Sequence, residues 1–270
     1  MLKVSVVTPS YNQAKYLRQT IESVLSQGYP NLEYIIMDGG SSDGSVDIIR
    51  EYQKHLAFWT SGKDGGQTQA VNIGLRRCTG DIVTWLNSDD YFEPGALRAA
   101  VDAFSATDAG VVYGDYTLVT ETGKPFLVRR EIPFDYNILL FGVNIIGQPS
   151  AYFKRDMLLK HGYLDETLQY MMDYEYWLRL ASRGVNFHHI NKMLSYCRYH
   201  AASKTVSQTD KFDQETQAVR CRYSGETRPG VLRRRNILAR VRRQWIKLLH
   251  RGTVDYLGGP LRLLAYTWRK

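Results

Sequence analysis

Long apolar runs are missing from this sequence: no stretch approaches the ~18 residues needed to span a bilayer. The opening Met1-Leu2-Lys3-Val4-Ser5-Val6-Val7 lacks the architecture of a secretory leader and runs directly into a strand-like pattern. Cysteine is scarce. Cys78, Cys197 and Cys221 lie far apart with no CxxC pair, which argues against a cysteine metal site or a disulfide framework and for a reducing compartment. Together these absences imply a cytoplasmic chain. Internal repeats and low-complexity stretches are also lacking.

A uniformly basic body is absent too, although the net charge is +8. From Glu226 to Lys270 there are twelve Lys/Arg and two acids, a net of +10, so the preceding residues carry −2. The basicity belongs to the tail, and a nucleic-acid-binding body is not expected.

What is present is an alternation of strand and helix. Val4–Thr8 reads as a strand stopped by Pro9, and 14–27 as a helix with Leu17, Ile21, Val24 and Leu25 on one side. Strands at 32–37, 57–60 and 81–86 alternate with helices at 46–52 and 66–77. A further helix opens at Pro94. This alternation predicts a parallel sheet with ligands bound beyond the carboxyl ends of its strands. Three polar clusters fall at such ends: Thr8–Asn12, Asp38–Asp43 and Asn87–Asp90. The second half mixes short strands with a helix near 173–182. Residues 206–227 read as a polar linker.

Asn87-Ser88-Asp89-Asp90 carries the strongest chemistry. Adjacent carboxylates repel unless a cation offsets them, and hard oxygen donors suit magnesium or manganese together with substrate phosphates. Capping of the following helix is the competing reading.

The ordered set Val4-Ser5-Val6-Val7-Thr8-Pro9-Ser10-Tyr11-Asn12, Ile36-Met37-Asp38-Gly39-Gly40-Ser41-Ser42-Asp43-Gly44, Gly66 through Gly74, and Gly80-Asp81 to Asp90 resembles family 2 glycosyltransferases. The likeness covers roughly residues 2–205 and is nearest to bacterial enzymes that build O-antigen or capsule. It implies a GT-A fold: α/β, Rossmann-like, with a mixed, mainly parallel sheet flanked by helices. Residues 1–110 would bind the nucleotide sugar and 111–205 the acceptor.

The resemblance implies roles residue by residue. Pro9 and Tyr11 would line the base pocket, Asp38 would bond the base, and Asp64 and Gln67 would close the pocket. Asp89 matches the metal-binding acid of the family's DxD motif. Asn87 departs from that motif's first acid but can still bond a ribose hydroxyl. Ser88 and Asp90 complete the nucleotide-sugar contacts, Asp90 from behind the metal ligand. Asp173 falls where the family has its general base, with Met172 replacing the preceding acid; N-capping is the alternative. Glu175 is explained by an ion pair with Arg179 four residues on. Arg198-Tyr199-His200-Ala201-Ala202-Ser203 resembles the family's RxHxxS segment, in which His200 would complete a Mg²⁺ or Mn²⁺ site, and Arg198 would meet phosphate or a nearby acid. His188 and His189 read as structural.

The implied reaction is inverting transfer from a UDP-sugar to a lipid-linked saccharide hydroxyl. A non-catalytic nucleotide-sugar-binding protein is the alternative. A nucleotidyltransferase fits less well, because Thr8–Asn12 lacks a Gly-rich phosphate loop with a basic residue. Residues 228–270 read as a basic amphipathic tail. Leu238, Val241, Trp245 and Leu248 form one stripe among arginines, suited to the anionic inner face of the cytoplasmic membrane or to packing on the domain. On the membrane reading a chain cut near Thr227 stays folded.

Overall fold

The computed structural model describes residues 1–201, 203 and 209–251. Val4–Ser10 forms β1, and all seven of its residues are buried. Such an unbroken apolar run is what a parallel strand covered on both faces requires. The strand passes two residues beyond the expected stop at Thr8. Pro9 is tolerated because its nitrogen faces the neighbouring strand Ile82–Trp85, with which pairing has already ended at Val7.

Four strands run parallel in the order β3 (Phe58–Ser61), β2 (Leu32–Asp38), β1 and β4 (Ile82–Trp85). The connecting helices are α1 (Ala14–Leu25), α2 (Ser45–Tyr52) and α3 (Gln67–Arg77). β8 (Ala151–Lys154) joins β4 antiparallel and carries the sheet on to β6 (Val111–Thr120) and β9 (Phe187–Tyr199). The edges are completed by β5 (Tyr91–Phe92) on β9 and β7 (Pro125–Arg129) on β6. Six strands share one direction; β5, β7 and β8 oppose them. The two expected halves thus share one continuous mixed sheet.

Strand periodicity sorts the core. Val4, Val6, Tyr34 and Ile36 enter one layer with α1 and α4 (Ala96–Ala106), while Val7, Ile35 and Met37 enter the other with α3 and α6 (Met172–Ser182). A Cβ on Gly74 would lie 2.4 Å from Val7, so α3 can approach β1 this closely only through glycine. Because β1, β2 and β4 are parallel, the three polar clusters emerge at one edge of the sheet.

The stretch expected as a linker forms a helix, α7 (Thr209–Ser224), which packs Val219 and Phe212 into the core. Its polarity misled the sequence reading because only one narrow face is buried. α8 (Pro229–Arg251) is also docked, through Ala239, Arg243 and Lys247. Arg243 meets the fully buried Glu131 at 3.0 Å, Arg242 meets Asp135 at 2.7 Å, and Asn236 donates to the Phe141 carbonyl at 2.5 Å. Cutting the chain near Thr227 would withdraw Arg243 from Glu131, which also pairs with Arg129 at 3.1 Å; the tail helix expected to be separable is thus docked on the domain. The expected apolar stripe faces outward on the opposite side, with Trp245 62% exposed.

At the far end of the sheet, Glu33 ties β1, β2 and the α3–β4 connection together. It accepts from Lys3 Nζ at 2.8 Å, Ser5 Oγ at 2.5 Å and the Thr79 amide at 2.7 Å. Burial raises its pKa, but these donors outweigh burial and hold it at about 2. A folded-state pKa below the ordinary 4.5 gives stability that is complete above that value and lost as pH falls toward 2. Glu33→Gln should cost about 2 kcal/mol at pH 7 by urea denaturation. The gap from wild type should narrow between pH 5 and pH 2.

Candidate active site

The loop after β4 alternates in exposure. Asn87 and Asp89 are half-exposed, while Ser88 and Asp90 are buried. Ser88 and Asp90 both offer their carbonyls to Thr20 Oγ1, at 2.9 and 2.7 Å. The Asp90 carboxyl accepts the Arg198 amide at 2.8 Å. Burial, followed by the neighbouring Asp89 charge, pushes its pKa well up. Ser88 and Asp90, expected as contacts to the nucleotide sugar, are therefore fasteners that hold the loop from behind. Capping does not account for Asp89 or Asp90 either, because Gly95 caps α4.

Asp89 is left to face His200, whose Nε2 lies 3.0 Å from its Oδ2. Arg198 makes this possible. Its Nε donates to the Asp89 carbonyl at 2.9 Å, its two terminal nitrogens to the Glu121 carbonyl and Gln19, and its plane faces Tyr16 and Tyr91. Those contacts go to two carbonyls and an amide oxygen, neither a phosphate nor an acidic side chain, and through them Arg198 organises the loop. His200 follows as the first residue beyond the end of β9, two on from Arg198.

A carboxylate beside an imidazole suits a hard divalent cation whose remaining ligands are substrate phosphates and water. Among the described residues no group of three or more His, Cys, Asp or Glu is placed to hold a metal. The residues fit a cation shared with a diphosphate.

Three loops meet beside this pair. Tyr11 is 63% exposed, next to the buried Pro9. A Cβ on Gly39 would lie 3.1 Å from the Asp64 carboxylate and 3.3 Å from the Tyr11 ring, so the chain there is pressed between the two. Asn12 adopts a positive φ of 52° and bridges to the next loop, accepting the Ser42 amide at 2.9 Å. Asp38 is buried and accepts from the Gly40 and Ser41 amides and the Ser41 and Ser61 hydroxyls, at 2.5–3.1 Å. Three of these donors fall on Oδ2 and one, the Ser41 hydroxyl, on Oδ1, so the carboxylate braces the pocket wall while Oδ1 retains an acceptor position. Asp64 accepts the Gly66 amide at 2.8 Å. Gln67 donates to Asn87 Oδ1 at 2.8 Å, and Asn87 donates in turn to Gln148 at 3.2 Å.

Asp173 sits in the first turn of α6, but Met171 occupies the cap position and no side chain caps the helix, so capping does not explain the acid. Burial raises the Asp173 pKa to about 6, with the Tyr174 and Asp173 amides pulling the other way. Thr68 Oγ1 donates to Met172 Sδ at 2.9 Å and ties α6 to α3. Glu175 bonds Arg179 at 2.9 Å, as its spacing implied. His189 is likewise structural, 3.1 Å from Asp115. The Cys197 thiol pKa is driven up by burial and then by Asp90, Asp89 and Asp173.

Gln148 and Tyr16 went unnoticed in the sequence. Gln148 orients Asn87 while donating to the Trp85 carbonyl at 2.6 Å, and the Tyr16 ring packs 4.9 Å from the His200 ring. Neither carries a motif; a glutamine within an apolar stretch was the faint signal for the first.

The chain is 28% identical over 212 residues to TuaG of Bacillus subtilis, a glycosyltransferase assigned to teichuronic acid biosynthesis, covering 76% of this chain and 81% of TuaG. It is 28% identical over 226 residues to a glycosyltransferase of Rickettsia typhi, covering 78% of this chain and 68% of that one. The fold is the GT-A fold of TarS from S. aureus, solved as residues 1–349 with UDP-GlcNAc (TM-score 0.66, 18% identity, 97% of this chain and 76% of that one). The mannosyltransferase PcManGT of Pyrobaculum calidifontis, solved with GDP-Man and Mn²⁺, shares it too (TM-score 0.65, 20% identity, 99% and 80%). The chain spans 39% of a longer TarS chain. The model of Glycosyl transferase family 2 matches residues 5–172, and the chain belongs to that family.

Proposed function

We propose that this glycosyltransferase moves a sugar, with inversion, from a UDP-sugar to a hydroxyl of a lipid-linked saccharide in surface-polysaccharide synthesis. The observation that carries the reading is the Asp89–His200 pair, 3.0 Å apart, in the loop beyond the carboxyl end of β4. Tyr11 offers a ring face to the base, Asp64 and Gln67 close the pocket, and Asn87 lies where a ribose hydroxyl can be bonded. Asp89 and His200 would hold Mg²⁺ or Mn²⁺, which supplies positive charge opposite the departing diphosphate. Asp173 takes the acceptor hydroxyl's proton as that oxygen attacks the anomeric carbon and the nucleoside diphosphate leaves from the opposite face. A single carboxylate acting on the acceptor gives one displacement, hence inversion. The UDP-GlcNAc complex of TarS and the role assigned to TuaG support the donor and product classes.

The outer face of α8 supports a membrane-bound acceptor. Ile237, Leu238, Val241, Trp245, Leu248 and Leu249 are all exposed there. At about 100° per residue, Arg233 and Arg240 flank the stripe on one side and Arg235 and Arg242 on the other, with Arg234 within it. Apolar burial with flanking cations suits an anionic bilayer surface. Among the described residues no helix is long and apolar enough to cross a membrane, so the contact proposed is peripheral, at the inner face of the cytoplasmic membrane.

Asp89→Ala should weaken UDP binding in the presence of Mn²⁺ at least about tenfold by calorimetry. Chelation should do the same to wild type; undiminished affinity in both would refute the metal site. Asp173→Asn should lower transfer about 100-fold or more with UDP affinity intact. In wild type, kcat/KM should fall about tenfold per pH unit below about 6, because only the ionised carboxylate accepts a proton. A folded pKa raised above the usual carboxylate value means stability falls as pH climbs to about 6, so Asp173→Asn should also raise Tm at pH 7.5. Trp245→Glu should abolish flotation with phosphatidylglycerol vesicles while turnover on a soluble acceptor mimic persists, and added salt should weaken wild-type flotation. Unchanged flotation would exclude the bilayer contact.

A further inference from the structure

We propose that Glu215 is a positioning residue for Asp173, a role that rests on Asp173 being the base. The helix that carries Asp173 starts without a side-chain cap of its own, since Met171 at the cap position has nothing to offer the first amides. The three amides leading into the helix are met from another helix. The Glu215 carboxylate on α7 accepts the amides of Gln169 at 3.0 Å, Tyr170 at 2.8 Å and Met171 at 3.0 Å. Three consecutive backbone donors on one carboxylate fix both the position and the tilt of the turn, and Asp173 follows two residues later. A negative group at the start of α6 also opposes the positive end of the helix dipole.

The rest of α7 is built to hold that carboxylate in place. Phe212, Glu215, Thr216, Val219, Arg220 and Tyr223 recur at three- and four-residue spacing, which puts them on one face. Thr216 donates to Met171 Sδ at 3.2 Å, and Tyr223 donates to Glu175 Oε1 at 2.5 Å. Arg220 reaches the Gly142 carbonyl at 3.0 Å and Tyr174 Oη at 3.4 Å. α7 therefore grips α6 on both sides of Asp173, and Glu215 is the member of the grip nearest the start of the helix. On the opposite flank, Thr68 Oγ1 on α3 holds the Leu168 carbonyl at 2.8 Å. The turn before the base is thus pinned between the donor half and α7, and Glu215 supplies the contact from α7 to its amides.

The full chain carrying Glu215→Gln and Glu215→Ala tests this. Hydrogen exchange of peptides covering residues 168–174 reads the clamp directly, without reference to catalysis. Turnover is read as nucleoside diphosphate release, with acceptor, from whichever of UDP-GlcNAc, UDP-Glc and GDP-Man wild type uses fastest. UDP affinity with Mn²⁺ is read by calorimetry. The expected result is faster exchange at amides 169–171 and a kcat lowered about 10- to 100-fold in Glu215→Ala, with UDP affinity unchanged. Glu215→Gln, which keeps one acceptor oxygen of the same reach, should fall between Ala and wild type and covers the case in which Ala does not fold. Wild-type exchange at 169–171, an unchanged kcat, or a loss of UDP affinity matching the loss of turnover would each overturn the proposal. Asp173→Asn, run in parallel, separates the two readings: wild-type turnover there removes the base, and with it this role, whatever the exchange data show.

Discussion

Everything at this site depends on how a buried arginine is satisfied. Arg198 lies on the last long strand, and its guanidinium must find acceptors, because a buried cation without partners is strongly destabilising. It finds them on three separate pieces of chain: the Asp89 carbonyl, the Glu121 carbonyl and Gln19 on the first helix. Its own amide meanwhile holds Asp90. The acidic loop, the β6–β7 turn, the first helix and the last strand are thereby locked in one arrangement. His200, the first residue beyond that strand, then stands opposite Asp89. The pairing of Asp89 with His200 is a by-product of satisfying the arginine.

The two carboxylates with raised pKa values are raised for different purposes. Asp90 is buried as a fastener, and its proximity to Asp89 adds to the effect of burial. Asp173 is poorly solvated with no cation opposing the shift, which makes it a stronger proton acceptor than an ordinary carboxylate. Such a group destabilises the folded chain at neutral pH, and its retention there is readily understood if it reacts with substrate. The contrast with Glu33, held low by four donor contacts at the inert end of the sheet, separates residues that stabilise from residues poised to act.

The carboxyl-terminal helices give this architecture a second layer. α7 braces the helix that bears Asp173, and α8 covers the Ile138–Gly142 turn, whose carbonyls are shared among Tyr174, Arg220 and Asn236. α8 has two working faces. One is fastened by the buried Arg243–Glu131 pair, while the other exposes aliphatic and tryptophan side chains flanked by arginines. A rigid helix of this kind would hold the sheet at a fixed angle to whatever surface its outer face meets.

Local pattern was enough to reveal the strand–helix alternation, the three polar clusters and the amphipathic tail. Each depends on residues adjacent in sequence, where period and turn chemistry act directly. The ordered motifs also singled out Asp89 and His200, which the fold brings within 3.0 Å although 111 residues separate them. Other outcomes depended on contacts between distant segments, which no local pattern encodes. Only the folded chain turned Ser88 and Asp90 inward and gave Asp38 its Gly40, Ser41 and Ser61 donors. It also gave Arg198 structural partners and converted a polar stretch into the helix that carries Glu215. Burial of a polar side chain is settled by the donors and acceptors that the rest of the chain brings to it, and those arrive only with the tertiary structure.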